Sequence, residues 1–160
     1  MNKSEIGKYG KMRINSQNEI PLRKGIIKFP DNNYEPPRLI ASKCISCGDI
    51  SFPSKILCGK CNSEILEEYL LSHTAEIHTY TIIYQGGLPG VQIPNILVVV
   101  KFPDDDELLV AGQMIDAKPE DIKIGLKVET VVDVVRAGLL GLLSGRPRNV
   151  VGYKFRLISN

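Results

Sequence analysis

The residues of this sequence best suited to chemistry are its four cysteines, which all fall within one short stretch. They form two Cys-x-x-Cys pairs with ten residues between them: Cys44, Cys47, Cys58 and Cys61. Each pair makes a tight turn whose two thiolates point at one centre, and the spacer is long enough for a hairpin that brings the pairs opposite one another. The spacing predicts a tetrathiolate site for one structural Zn²⁺, because four protein ligands leave no position open for a substrate or an activated water.

Each cysteine pair is accompanied by a glycine. Gly48 follows Cys47 directly, and Gly59 lies between Cys58 and Cys61. Turns of this kind often need a residue with positive φ, which glycine adopts without a steric penalty. We expect both glycines to fill that position.

Other uses of the four cysteines remain open at this point. Two disulfides would need an oxidising compartment, but the N-terminus, MNKSEIGKYGKMR, has no apolar h-region and no cleavage site. A dithiol redox motif usually stands alone at the start of a helix in a βαβ unit, a pattern not found here. An iron centre of rubredoxin type has the same ligand set as the favoured zinc site. His73 and His78 lie beyond a complete ligand set, and we expect them to be ordinary strand residues.

Length and composition favour one globular domain, or a small domain with an appended module. The chain has 160 residues, 43% hydrophobic and 24% charged. Its apolar runs are too short to cross a bilayer, which needs about 18 residues. We therefore expect a cytoplasmic protein that does not associate with a membrane.

The net charge of +2 conceals an uneven distribution along the chain. Residues 1–28 carry seven basic and two acidic side chains, and residues 123–160 carry the same numbers, so each segment has a net charge of +5. Residues 104–121 carry seven acids and one lysine, a net charge of −6. Opposite patches of this kind suit protein partners at least as well as polyanions.

Sequence patterns divide the chain into three parts that must position the cysteines. Residues 1–37, rich in Pro and Asn, predict an extended arm that orders against another surface. Residues 38–68 predict a rubredoxin-like zinc ribbon whose first strand, 38–44, leads into the first cysteine pair. Residues 69–160 predict a mainly β domain, with strands at 76–84, 96–102, 108–115, 126–135 and 149–158 and a helical turn or two within 116–125. This order is that of a five-stranded OB-fold barrel.

The surface that OB-folds commonly use for oligonucleotides is poorly equipped here. The second and third barrel strands are almost wholly aliphatic, with Phe102 as the only aromatic residue, and an acidic block at 104–107 joins them. Nucleic-acid binding is therefore the alternative rather than the leading hypothesis. Independent catalysis is also disfavoured, because the common catalytic motifs are absent and every cysteine belongs to the metal site.

The segment between the last two strands is unusually apolar for a hairpin tip. Four leucines, Leu139, Leu140, Leu142 and Leu143, lie among glycines and are flanked by arginines that include Arg146 and Arg148. The leucines could fold back to plug one end of the barrel, or they could form a protrusion that docks on a partner protein. Both interpretations remain open from the sequence.

These motifs together resemble those of a known protein family. The residues that carry the resemblance are Lys43-Cys44-x-x-Cys47-Gly48, Phe52-Pro53 and Cys58-x-x-Cys61, followed by Tyr80-Thr81-Ile82-Ile83 and Ile124-Gly125-Leu126-Lys127-Val128-Glu129. Over residues 38–158 the chain is similar to the zinc-ribbon OB-fold proteins classed as domain-of-unknown-function family thirty-five. Many members begin with a helical hairpin rich in aromatic residues, and this chain departs from that pattern with its Pro/Asn-rich arm.

The resemblance implies a non-catalytic subunit of an acyl-CoA enzyme. Members of the family accompany thiolase-type enzymes, among them archaeal acetoacetyl-CoA thiolase with hydroxymethylglutaryl-CoA synthase and the benzoylsuccinyl-CoA thiolase of anaerobic toluene degradation. Carried over to this sequence, only the four cysteines transfer, as zinc ligands. On this basis we expect a thiolase-like partner with acyl-CoA at the subunit junction. The tip leucines would then contact the partner, and Arg146 and Arg148 would face the coenzyme A phosphates.

Overall fold

The computed structural model describes residues 6–85, 91–138 and 148–158, and these residues are almost entirely β-structure. The strands are β1 (Ile6–Gly7), β2 (Gly10–Lys11), β3 (Glu19–Pro21), β4 (Ile27–Lys28), β5 (Arg38–Cys44), β6 (Ile50–Ser51), β7 (Leu66–Leu70), β8 (Thr74–Ile83), β9 (Asn95–Lys101), β10 (Leu109–Ile115), β11 (Lys127–Arg136) and β12 (Asn149–Leu157). A single 3-10 turn, Pro119–Asp121, lies between β10 and β11. Within these described ranges, no helix has the length and apolar character needed to span a membrane.

The last five strands close into a barrel. β8 pairs antiparallel with β9, β9 with β10 and β11 with β12, while β10 and β12 run parallel. Antiparallel pairing of β11 with β8 completes the circle. This is the strand order of an OB-fold, so the predicted fold class is confirmed, with one 3-10 turn where we expected a helical connector.

The core of the barrel follows from alternation of side chains along each strand. In β9, Ile96, Val98 and Val100 are buried, while the residues between them are only partly covered. The rings of Phe102 and Phe155, both fully buried, lie 6.4 Å apart in the centre of the core. Because successive side chains of a strand point to opposite sides, one face of β9 packs into the barrel core.

The cysteine-bearing ribbon packs on this barrel through a shared core. β5 is its central strand, paired with β4, β6 and β7, and β7 continues to Leu70, just beyond the ribbon boundary expected at residue 68. Leu39 and Leu71 are fully buried in the same apolar cluster as Phe102. The guanidinium of Arg38 donates to the carbonyl oxygens of Leu70 and Leu71, where the chain passes from ribbon to barrel.

The described part of the arm, residues 6–37, lies against the chain's own strands. β11 and β12 form a long hairpin that extends beyond the barrel, with pairing from Val128 and Leu157 to Arg136 and Val150. β2 pairs with β11 at Val132, on the edge that β8 leaves open. β3 runs parallel to β12 over residues 149–151, on the edge that β10 leaves open. The arm thus covers both outer edges of the hairpin, which would otherwise present unpaired backbone groups.

Close backbone approach and a buried ion pair hold the arm in place. Gly10 has φ of 90°, and a Cβ at this position would overlap the carbonyl oxygen of Val132. Lys11 of β2 and Glu19 of β3 form an ion pair of 2.6 Å, with only 11% and 6% of their side chains exposed. We expected the arm to order against another surface, and the surface that it contacts here is the hairpin and ribbon of the same chain.

Candidate metal centre

The four cysteines lie in two turns at one end of the ribbon, and the two turns share one backbone pattern. In the first, Gly48 N–H donates to the Cys44 carbonyl at 2.8 Å, and Cys44 N–H donates to the Asp49 carbonyl at 2.9 Å. In the second, Asn62 N–H donates to the Cys58 carbonyl at 3.1 Å, and Cys58 N–H donates to the Ser63 carbonyl at 2.9 Å. The repeated turn aims each pair of sulfurs inward from opposite sides.

The residue with positive φ occupies the same place in both turns. It is Gly48, with φ of 79°, in the first turn and Asn62, with φ of 57°, in the second. The prediction for Gly59 is wrong, since its φ lies outside the left-handed region. Asn62 was overlooked, although asparagine is the residue other than glycine that most readily adopts this conformation.

The sulfur atoms have the separations expected of ligands around one ion. Cys44 Sγ lies 3.6 Å from Cys61 Sγ, and Cys47 Sγ lies 3.6 Å from Cys58 Sγ. All four ligand atoms lie within 4.8 Å of one another. Zinc bonded to sulfur at about 2.3 Å in a tetrahedron places the sulfurs about 3.8 Å apart, close to these distances. A disulfide would need about 2.05 Å, so the cysteines are not bonded to one another.

The thiols differ in how readily they ionise. The pKa of Cys44 is lowered to about 6: burial of the sulfur opposes ionisation, but hydrogen bonds from the Cys47 backbone N–H and the Cys61 thiol outweigh it. The pKa of Cys47 is raised to about 12: the Asp49 N–H favours the thiolate, but the neighbouring Cys61 and burial oppose it. Without a cation the four sulfurs therefore cannot all be thiolates near neutral pH, whereas a central dication permits it.

Polar groups around the sulfurs support the two turns. Lys60 N–H donates to Cys58 Sγ at 3.4 Å, and Asp49 Oδ2 lies 3.9 Å from the same sulfur. The hydroxyls of Ser46 and Ser63, one from each turn, lie 2.8 Å apart and tie the turns together. Cys44 and Cys58 are buried while Cys47 and Cys61 are exposed, so the centre lies at the surface with one half covered. Four cysteine ligands complete a coordination shell, which suits a structural ion rather than a catalytic one.

The two histidines are not part of the cysteine cluster. His73 lies just before β8, and its ring packs edge-on against Tyr9 of the arm, with centroids 6.2 Å apart. Burial lowers the pKa of His73, despite the opposing charge of Glu129. His78 is an exposed residue of β8, at the irregularity in its pairing with β9.

Most of the predicted hairpin tip cannot be compared with the structure. Leu139, Leu140, Leu142, Leu143 and Arg146 lie outside the described residues. Arg148 lies within the described residues. Its side chain is exposed, and it directly precedes β12, near the tip end of the hairpin whose edges the arm covers. Its proposed contact with coenzyme A stays a prediction.

An apolar cavity beside Val135 and Val150, close to the tip end of the hairpin pairing, was not foreseen from the sequence. Its volume is about 400 Å³, and its lining includes Leu22, Leu97, Ala111, Val135 and Tyr153. It exists because residues from the arm, the β9–β10 face and the hairpin converge there. Gly112 also lines the cavity, and it packs closely on the core, since a Cβ on it would lie 2.6 Å from the ring of Phe155. The small residues at 111–112 were the available signal in the sequence.

Comparison with known proteins agrees with this architecture. The family model described as the C-terminal OB-fold domain of ChsH2 matches residues 68–133. A DUF35 domain-containing scaffold protein of Methanocaldococcus jannaschii is 31% identical over 125 residues, which cover 76% of this chain and 83% of that protein. One of the same description from Methanothermobacter thermautotrophicus is 34% identical over 121 residues, covering 74% of this chain and 85% of the relative.

A solved structure is similar in fold. It is described as an Ltp2-ChsH2(DUF35) aldolase, with a TM-score of 0.57 and 18% identity, over 75% of this chain and 84% of that chain. At this identity the likeness shows the fold alone. The curated relatives show more, because their similarity extends through both the ribbon and the barrel. The chain therefore belongs to the family of DUF35 domain-containing scaffold proteins.

Proposed function

We propose that this chain is a non-catalytic accessory subunit that binds a thiolase-like or aldolase-type catalytic subunit. The observation that carries the proposal is its similarity to scaffold proteins over three quarters of its length. The solved structure of similar fold supports it, because its description joins a DUF35 protein to an aldolase. The chemistry of the chain itself points the same way.

All of the chain's thiols belong to the metal centre. The sequence has four cysteines, and these are the four whose sulfurs converge. A thiolase-like acyl transfer uses a cysteine nucleophile, which therefore has to come from the partner together with its catalytic histidine. The role that remains for this chain is to bind the catalytic subunit and to help shape its coenzyme A entrance.

Zinc is the ion that we propose for the centre, in a structural role. A set of four thiolates is the ligand set of structural zinc sites, and the sulfur separations fit its bond lengths. Cys44, Cys47, Cys58 and Cys61 would hold the ion, and its binding would contribute to the folding of the ribbon.

The substrate that we propose for the complex is a 3-oxoacyl-CoA, cleaved by thiolysis or formed by condensation. An aromatic thioester such as benzoylsuccinyl-CoA is one candidate within this class. Arg148, which we propose to act together with Arg146, lies directly before β12, near the tip end of the hairpin, and guanidinium groups match phosphate oxygens well. The apolar cavity of about 400 Å³ beside Val150 offers a surface for the less polar part of such a ligand.

Nucleic-acid binding, the alternative, gains little from the structure. The partly or fully exposed side chains on the barrel face of β9 and β10 include Leu97, Val99, Leu109 and Ala111, none of which can stack on a base. The adjoining turn carries acids, of which Asp106 is paired with Lys101.

Affinity purification from the native cell extract tests the proposed function. We expect the tagged full-length chain to retain a thiolase-like or aldolase-type protein, identified by mass spectrometry and recovered in a fixed ratio. Recovery of nucleic acid, or of no acyl-CoA enzyme in repeated purifications at low salt, would overturn the proposal.

A further inference from the structure

The pairing of the arm with the hairpin brings together two basic segments that are far apart in sequence. Residues 1–28 and 123–160 each have a net charge of +5. β2 and β3 belong to the first segment, and β11 and β12 to the second, so their pairing forms one basic region. In the acidic segment 104–121, the carboxylates at 106 and 107 are paired with Lys101 and Lys60, and Asp116 acts on Lys154 of β12.

The acids on the strands of this basic region are already neutralised by neighbours. Glu19 is paired with Lys11, Glu129 with Arg156 and Asp133 with Lys154. Arg23 and Lys24 are exposed cations of this region for which the described part of the structure records no ion pair. Both line one surface cavity, and we call these two residues the basic face.

The basic face includes a small apolar cavity. Its volume is about 210 Å³, and Arg23 and Lys24 line it together with Ile14, Phe29 and Val151. A cavity of about 150 Å³ is large enough for a benzene-sized group. The site therefore has room for one apolar side chain, with cationic groups on its rim.

This combination of charge and shape favours an acidic protein segment over other anions. A carboxylate-bearing segment with an apolar residue could place that residue in the cavity and its carboxylates near the cations. A nucleic acid would find a single aromatic ring, Phe29, in the described lining, which is too little for successive bases to stack. A simple phosphate would use the cations but leave the apolar walls unused.

We propose that the basic face docks an acidic, apolar-containing segment of the catalytic subunit. This inference rests on the proposed function for the identity of the partner, but not for the chemistry of the site. The arm then has two roles: it covers the edges of the hairpin, and it supplies Arg23, Lys24 and the cavity walls.

A peptide of alternating Glu and Leu, fluorescently labelled, provides the probe for this site. We expect it to bind the full-length chain with an anisotropy change that weakens as salt is raised. The variant Arg23→Gln with Lys24→Gln should weaken binding by about tenfold, because both cations at the cavity are lost. The control, Lys55→Gln with Lys118→Gln, makes the same charge change at exposed positions outside the two basic segments and should leave binding within about twofold.

Competition identifies the class of ligand. Equal weakening by the two variants, or no peptide binding at all, would overturn the proposal. Displacement of the peptide by pyrophosphate at lower concentration would assign the face to a phosphate-bearing ligand instead, and tighter binding of an oligothymidylate would assign it to nucleic acid. The single changes Arg23→Gln and Lys24→Gln provide a second test should the double variant fail to fold. Failure of these peptide experiments leaves the co-purification result intact, so the two proposals are tested separately.

Discussion

At the scale of single residues, the sulfur of Cys58 connects the metal centre to the stability of the ribbon. It is buried, it accepts the N–H of Lys60, and it lies 3.6 Å from Cys47 Sγ. The apolar residues of the ribbon that are buried, such as Leu39 and Ile50, pack against the barrel rather than forming a core of their own. We therefore expect the ribbon turns to depend on a bound ion for their stability.

The change Cys58→Ser should release the metal. We expect less than about half an equivalent of zinc per chain, against one equivalent in the unchanged protein, and loss of amide protection around both cysteine pairs. The shared core should also lower the melting temperature of the barrel, without unfolding it at room temperature. Metal analysis and hydrogen exchange measure both effects. Ser46→Ala, which alters the contact between the turns but removes no ligand, is the control, and a full zinc equivalent in Cys58→Ser would contradict the site.

Asn62 offers a finer test of the same turns. Its φ of 57° is one that glycine adopts freely and alanine does not. We expect Asn62→Gly to keep the stability of the metal-loaded protein, and Asn62→Ala to lower the free energy of unfolding by about 1 kcal/mol. Chemical denaturation of the two variants measures the difference. If both variants were equally stable, backbone conformation would not be the reason for the asparagine.

At the scale of elements, the arm is held to the hairpin where Gly10 meets Val132. The Val132 N–H donates to the Tyr9 carbonyl at 3.0 Å, so this amide reports directly on whether β2 is in place. On the other edge, the Leu22 N–H donates to the Val151 carbonyl at 2.7 Å. The two contacts are separated by the buried pair of Lys11 and Glu19.

Gly10→Ala should detach β2 from the hairpin. The new Cβ would overlap the Val132 carbonyl, and a side chain at φ of 90° adds backbone strain, so we expect a loss of at least about 2 kcal/mol from the contact. Hydrogen exchange at Val132 should accelerate. Gly25→Ala is the matched control, because Gly25 also has positive φ, of 72°, but a Cβ there meets nothing within 4 Å. Equal acceleration at Val132 in both variants would rule out the steric contact as the cause.

The hairpin tip, which lies beyond the described residues, can be tested through assembly. If the tip docks on the partner, burial of two leucines contributes about 3 to 6 kcal/mol before the costs of association. Leu139→Asp with Leu142→Asp should then abolish co-elution with the catalytic subunit, with little change in melting temperature. Leu109→Asp, on an exposed position of β10, is the control. A folded double variant that still co-elutes would indicate that the leucines plug the barrel or face solvent.

The arginines near the tip need a kinetic readout. Replacement of Arg146 and Arg148 by glutamine should raise the KM of the assembled complex for its acyl-CoA, because their guanidinium groups would face the phosphates. The kcat should change less than the KM. An unchanged KM would remove both arginines from the coenzyme A entrance.

At the scale of the whole molecule, local patterns predicted the barrel and the convergence of the four cysteines, but not the attachment of the arm. The alternation of apolar and less apolar residues predicts β9, because its inward side chains are buried and its outward side chains are partly exposed. The Cys-x-x-Cys spacing is likewise visible within a short stretch of sequence. The arm pairs through short parallel contacts, of which one is centred on Gly10 and another on Ile20 opposite Val150. Such contacts join segments more than a hundred residues apart and leave no periodicity in either one.

The same limit explains the features that sequence reasoning missed. The apolar cavity beside Val150 and the smaller cavity at the basic face each combine side chains from the arm with side chains from the barrel or the hairpin. Within its own segment, none of these residues forms a recognisable pattern. Leu22 is an isolated apolar residue of the arm, and Arg23 is one of several cations spaced along it. The pairing of β3 with β12 brings these arm residues next to the hairpin residues with which they line the two cavities.

The measurement that tests the central claim most directly is acyl-CoA turnover by the separated and recombined proteins. The chain purified alone, loaded with zinc, should show no thiolysis or condensation of a 3-oxoacyl-CoA, because its four cysteines all converge on the candidate metal centre. Activity should appear only in the complex with the catalytic subunit recovered from the native extract, and should track that subunit's cysteine and histidine. Robust turnover by the chain alone would contradict the assignment of an accessory role.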